Sequence, residues 1–261
     1  MPHNTFTHAL IRVPTANMGD GVTTQQLGTP DFDLALTQHA AYCEALRWCG
    51  LKITTLPGDA TYPDGCFVED AAVIYEDLVV ITQPGDLSRR GETIAIQQAF
   101  SDRPLVQLQG EELLDGGDVL FCADRILIGL SERTNRQGAQ RLKNALQDYD
   151  ASLRVDFVPV GGVLHLKSGI TELVPGVIIR TPEFVTDYVI DFAEVFMTPE
   201  NEKLGGHVLP INDAVLLHAG NPTVQELAHR HYQRVIEVPL SEYEKMDGGI
   251  TCLSLRYAFS D

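Results

Sequence analysis

Along most of the chain, short apolar runs come in pairs, each pair folded about a tight polar turn. "CFVEDAAVIYEDLVVITQPG" (66–85) breaks at Glu76–Asp77, "DVLFCADRILIGLS" (118–131) at Ala123–Asp124, "ITELVPGVIIRTP" (170–182) at Pro175–Gly176, and "HVLPINDAVLLHAG" (207–220) at Asn212–Asp213. β-Branched and aliphatic runs flanking Asp, Asn or Gly predict four hairpins. Two runs lack a sequential partner, "THALIRVP" (7–14) and "GITCLSLRYA" (249–258). Pairing them gives a fifth hairpin and joins the two ends of the chain.

Between the hairpins the apolar residues change to helical spacing. Helices are predicted over 31–50, 88–100, 133–149, 183–196 and 223–235. The centres recur about every 40–50 residues, a period that signals repeated units. The pattern therefore predicts five β-β-α-β units around an axis, closed by the ends, in a single α/β domain over 1–261 with no linker. In such a ring the strand ends and loops of every unit meet at the axis, so residues far apart in sequence converge there.

Composition narrows the partners. A hydrophobic fraction of 44% and a charged fraction of 21% describe an ordinary globular protein. The formal net charge of -17 argues against nucleic acid and anionic membranes. "MPHNTFTHAL" lacks the basic start and apolar run of a signal peptide, and no apolar stretch is long enough to span a bilayer. The five cysteines, Cys43, Cys49, Cys66, Cys122 and Cys252, are odd in number and show no C-x-x-C spacing. No disulfide framework or zinc knuckle is expected, and a reducing, cytoplasmic compartment fits.

Cys252 stands apart, in "KMDGGITCLSLRY" just past a glycine pair. A cysteine nucleophile needs a lowered pKa or a base, and a proton donor for the leaving group. Of eight histidines, His229 and His231 flank Arg230 on a surface helix, His39 packs on the first helix, and His3 lies near the start. His165 differs, because "PVGGVLHLKSGI" places it among apolar residues directly after another glycine pair. Asp115, in "LLDGGDVLF", precedes a third such pair and is either a histidine partner or a turn cap. Glu69 and Asp70 interrupt what reads as an apolar strand in "YPDGCFVEDAAV", which also holds Asp64 in a turn. A buried carboxylate is costly unless a cation answers it, so this stretch suggests a cationic ligand. Arg89 ("LSRRGE") and Arg133 ("LSERTN") both begin helices, where their sign opposes the helix dipole. They are either exposed charges or a clamp for a carboxylate.

Taken in order, "LGTPD", "PDGCFVEDAAV", "ITQPGDLSRRGE", "LDGGDVLF", "IGLSERTN", "LHLKSG" and "SEYEKMDGGITCLS" resemble the dimethylarginine dimethylaminohydrolases almost end to end. That family belongs to the guanidine-modifying superfamily, with arginine deiminases and amidinotransferases. The resemblance implies the five-bladed pseudo-symmetric α/β propeller, or pentein fold. It implies hydrolysis of Nω-methylated arginine to citrulline and methylamine or dimethylamine, without cofactor or metal, in a family whose members are often homodimers or monomers. Carried over by residue, it makes Cys252 the nucleophile, His165 the general acid/base and Asp115 its support. Asp70 and Glu69 would hold the guanidinium, and Arg89 and Arg133 the α-carboxylate. Asp64, with main-chain groups near Val22 and Met246, would meet the α-amino end, under a lid formed by 17–28. One stretch departs from the pattern: "LGGHVLPIN" (204–212) has His207 where the family usually has asparagine. Two alternatives stay open from sequence, another guanidine hydrolase or deiminase on the same scaffold and a non-catalytic binder of cationic amino acids.

Overall fold

The computed structural model describes residues 5–259, so His3 lies outside the described residues. Strands β1 (His8–Arg12) and β2 (Lys52–Leu56) flank helix α1 (Phe32–Trp48). β3 (Ala72–Tyr75), β4 (Leu78–Ile81) and β5 (Leu105–Gln107) form the next sheet, with α2 (Thr93–Ala99) between the last two. β6 (Val119–Phe121), β7 (Ile126–Leu130) and β8 (Val155–Pro159) follow, with α3 (Arg136–Tyr149) in the same place. A single turn of helix, α4 (Leu166–Gly169), leads into β9 (Ile170–Val174), β10 (Val177–Arg180) and β11 (Glu194–Met197). The fifth sheet is β12 (Val208–Ile211), β13 (Ala214–His218) and β14 (Arg234–Val238), with α5 (Pro222–His229). After the short α6 (Ser241–Glu244), β15 (Leu255–Tyr257) returns to β1.

Each of the five sheets has the same plan. An antiparallel pair is followed by a crossover, and the chain comes back as a parallel third strand. All four internal hairpins turn at the predicted residues, and the ends pair antiparallel with His8 opposite Tyr257 and Leu10 opposite Leu255. Glu76 and Asn212 adopt φ of 50° and 56°. Two-residue hairpin turns require that left-handed backbone, which asparagine tolerates well and which glutamate adopts at some cost.

The sheets close into a ring because five apolar clusters lie at the five boundaries between them. Leu10 and Leu255 pack with Val79, Ile81 and Phe100. Val80 packs with Ile128 and Leu142, and Leu127 with Ile178 and Phe184. Leu173 and Ile179 meet Val215 and Leu227, and Tyr42 and Leu46 of α1 meet Ile211 and Leu216. β4, β12 and β13 are buried along their whole length and β1, β7 and β10 nearly so, which explains their near-continuous apolar runs, whereas the outer strands β2 and β11 are largely exposed. The result is the pentein fold.

Three details differ from the pattern-based expectation. Residues 183–196 form no helix; they run as coil into β11, and Val185 bridges to Gly161 through two backbone hydrogen bonds of 2.8 and 2.9 Å. The stretch follows Pro182 and holds Val185, Thr186, Val189 and Ile190, whose branched side chains lose rotamer freedom in a helix. Tyr188, Ile190 and Phe192 instead pack against the cluster between the third and fourth sheets. Glu69 and Asp70 lie in a 3-10 turn, Val68–Ala71, ahead of β3 rather than inside it. Arg133 sits in the loop before α3, whose first turn is capped by the Asn135 side chain.

Candidate active site

Every unit presents its chemistry from the turn that precedes its first strand. Glu69 and Asp70 come before β3, Asp115 before β6, His165 before β9, His207 before β12 and Cys252 before β15. The paired glycines exist because these turns crowd together. A Cβ on Gly117 would lie 2.7 Å from His165 Nδ1 and 2.9 Å from Asp70 Oδ1, and a Cβ on Gly249 would overlap the His207 ring. No L side chain fits at either position.

His165 is buried, and its Nε2 lies 2.9 Å from Asp115 Oδ2. Asp115 is fully buried and also accepts from the Gly85 amide at 2.8 Å. One ligand-type atom each from Asp70, Asp115 and His165 falls within 4.8 Å of the others. Burial alone opposes the imidazolium, but the carboxylates of Asp70, Asp115 and Asp118 outweigh it and raise His165 to about 9. The imidazole is therefore a proton donor at neutral pH. Asp118 fixes its place: one oxygen accepts from the Leu166 amide at 2.8 Å, the other from Ser131 and Thr134 hydroxyls at 2.6 Å.

Of the five cysteines, Cys252 alone is half-buried rather than buried. Its sulfur accepts from the Gly249 amide at 3.3 Å. Burial first, then the carboxylates of Glu69 and Asp70, push the thiol up to about 12. Asp70 thus acts on both the sulfur and the imidazole. Its own carboxyl is disfavoured by burial but held down to about 2 by the charges of His165 and Arg89. At neutral pH the site holds a neutral thiol and an imidazolium among acids.

The residues assigned to the two ends of a substrate are distributed unevenly. Asp64 is buried and accepts from the Val22 amide at 3.0 Å, which ties the segment 17–28 to the site. Gly21 is needed there, because any Cβ would strike the Asp64 carboxylate. Arg89 is buried and already engaged, with Asp70 at 2.7 Å, both Glu92 oxygens at 3.0 and 3.1 Å, and the Phe67 carbonyl at 3.3 Å. Arg133 is less committed: its Nη1 has no hydrogen bond and lies 3.9 Å from Asp115. Met246 follows α6, its amide donating to Tyr243 at 2.9 Å and its side chain in the core.

Glu69 differs most from its sequence-based reading. Its Oε1 accepts from both Lys167 and Arg256 at 2.7 Å, and its Oε2 from the Thr251 hydroxyl at 2.7 Å. Its amide donates to the Cys252 carbonyl at 3.1 Å. Glu69 braces the cysteine loop from behind. Lys167, Arg256, Thr251 and Asp118 escaped the sequence reading, although Lys167 and Asp118 stand within the singled-out "LHLKSG" and "LDGGDVLF". Asp247 also escaped it; its carboxylate accepts from Thr23, Thr24 and Gln25, latching the 17–28 segment. His207 is buried against Gly249, with its Nδ1 unpartnered. Burial, then neighbouring His218, lower it to about 4, so it is neutral.

Known proteins share this fold and much of this sequence. A family model described as eukaryotic N,N dimethylarginine dimethylhydrolase matches residues 29–170. The N(G),N(G)-dimethylarginine dimethylaminohydrolase of Pseudomonas aeruginosa is 37% identical over 97% of this chain and 100% of its own length. That of Streptomyces coelicolor is 37% identical over 95% of this chain and 96% of its own. A cysteine-to-serine mutant of the Pseudomonas enzyme, complexed with citrulline, superposes with a TM-score of 0.89 at 36% identity, covering 97% of this chain and all of that one. A dimethylarginine dimethylaminohydrolase adduct with S-methyl-L-thiocitrulline gives 0.90 at 37% identity, with the same coverage of both chains. The N-terminal domain of ArgZ, an arginine dihydrolase, gives 0.84 at 18% identity over 97% of this chain and 98% of that domain, a likeness of fold. This chain belongs to the dimethylarginine dimethylaminohydrolase family of hydrolases acting on C–N bonds.

Proposed function

We propose that the protein hydrolyses Nω-methylated L-arginine to citrulline and methylamine or dimethylamine through a covalent intermediate on Cys252. The observation that carries this reading is the acidic surround shared by a protonated thiol and an imidazolium, with the Asp70 carboxylate acting on both. Such a site is neutral toward nucleophilic chemistry until a cation enters. A guanidinium seated on Asp70 supplies that charge and lowers the thiol pKa; the thiol proton passes to solvent and the thiolate attacks the central guanidine carbon. The tetrahedral adduct then breaks its bond to the alkylated nitrogen, which takes a proton from His165. A thiouronium remains on sulfur. Neutral His165 next removes a proton from water; the oxygen attacks, the C–S bond breaks, the remaining hydroxyl proton passes to the departing sulfur, and citrulline leaves. Overall, guanidinium and water give a neutral ureido group and an alkylammonium ion, so charge and atoms balance.

Asp115 orients the imidazole and stabilises its charged form. Arg133, with its uncommitted Nη1, clamps the α-carboxylate, while Arg89 holds Asp70 in place behind it. Glu69 contributes its field and braces the cysteine loop. Asp64 and main-chain groups near Val22 and Met246 receive the α-amino end beneath the 17–28 segment. The citrulline complex and thiocitrulline adduct of the relatives support this seating.

Mass spectrometry of products from arginine, monomethylarginine and asymmetric dimethylarginine tests the reading. Methylamine or dimethylamine with citrulline is expected; ammonia from arginine alone would make the protein a deiminase, and no product from any would leave a binder. Cys252→Ser is expected to abolish turnover and retain citrulline binding, checked by calorimetry. Wild-type turnover in that variant removes Cys252 from the reaction.

A further inference from the structure

A second cavity, of about 170 Å³ and floored by Glu69, shares no lining residue with the cleft of Thr24, Gln25 and Asp247. Its walls are apolar and aromatic: Val73, Leu255, Phe6 and Tyr257, with Tyr75 and Phe121 stacked at 6.1 Å. Its floor is charged. Lys167 and Arg256 both reach it, each with a side chain 12% exposed, and both share the single oxygen Oε1 of Glu69. The floor therefore carries a formal charge of one positive unit, two cations against one carboxylate. Arg256 spends Nη1 on the Thr251 and Ser254 carbonyls and the Ser254 hydroxyl. Lys167 has three N–H donors, and among the described residues Glu69 Oε1 is the acceptor that answers one of them.

We infer that this cavity is a binding site for a small aromatic carboxylate, its ring between the Tyr75–Phe121 pair and Tyr257 and its anionic oxygens on Lys167 and Arg256. Three features select that chemistry. An apolar cavity of roughly 150 Å³ holds one benzene ring, so the volume here suits a single ring with a small substituent. Lys167 keeps donors that Glu69 does not use, and a carboxylate answers them with charge-assisted hydrogen bonds. A cation would meet Lys167 and Arg256 directly and be rejected. Two acidic features oppose an anion. Glu76 lines the cavity but is exposed and solvated. The net charge of -17 acts mostly from beyond the Debye length of about 8 Å, where it slows approach more than it weakens the contact.

Benzoate is the probe, titrated by calorimetry into the full-length protein, with benzylamine as the cationic control. Binding of benzoate and not of benzylamine is expected. Lys167→Met and Phe121→Ala are each expected to weaken benzoate by about tenfold or more, the loss of a charge-assisted bond or of an aromatic wall. Arg133→Ala, which alters the proposed substrate clamp, is expected to change it by less than about twofold. No binding to the wild type, unchanged binding in both cavity variants, or loss in Arg133→Ala overturns the inference. Circular dichroism melts establish that each variant folds; if Lys167→Met does not, the benzoate–benzylamine contrast and Phe121→Ala decide. No turnover is measured, so the outcome stands apart from the proposed reaction.

Discussion

At the scale of the residue, Cys252 and His165 hold their protons in an unusual order. The thiol is pushed up to about 12 and the imidazolium up to about 9, so the free enzyme has no thiolate to spend near pH 7. Iodoacetamide should label Cys252 slowly at neutral pH, with a rate that climbs only above pH 9, beyond the range of an ordinary thiol. The sign for His165 is the reverse of a base that must be freed. Its charged form protonates the leaving amine, so kcat should fall as pH rises through about 9. A pH–rate profile together with the labelling rate checks both; rapid labelling at pH 7 would mean a preformed thiolate. Gly249 sets a steric limit at the same scale. Gly249→Ala places a methyl group on the His207 ring, and loss of activity by about a hundredfold is expected, because a 1 Å misplacement of the sulfur has that cost. Adding His207→Ala should restore part of the rate, measured by steady-state kinetics.

At the scale of the element, Asp247 links the cysteine loop to the 17–28 segment. It takes four hydrogen bonds from Thr23, Thr24 and Gln25 while held at φ 59°, a backbone that costs a non-glycine residue on the order of 1 kcal/mol. Asp247→Ala should raise KM by about tenfold with a smaller effect on kcat, since it loosens the cover rather than the reacting groups. An unchanged KM would mean that the cover is held elsewhere. The elements themselves were largely legible in sequence. The four hairpins could be read because each pairs apolar runs around a turn residue with a fixed backbone demand. The stretch 183–196 misled because its apolar spacing suits a helix, whereas its branched residues and the bridge to Gly161 do not. Glycine pairs pointed to Asp115, His165 and Cys252, since close approach leaves a mark in sequence. The ion pairs of Glu69 left none: nothing in the sequence marks Lys167 or Arg256 until the ring brings them together.

At the scale of the whole molecule, the ring is completed by hydrogen-bonded pairing rather than by a continuous chain. The seam is short, with three residue pairs between β1 and β15. Arg256 lies within it, opposite Ala9, and the same side chain grips Glu69 and the Thr251 carbonyl beside the sulfur. Local opening of short terminal strands requires less free energy than global unfolding. Breathing at this join therefore reaches the nucleophile first, while the other four sheets keep their cores. On heating, catalytic power should disappear several degrees before ellipticity does, and a covalent staple across the join should bring the two losses together.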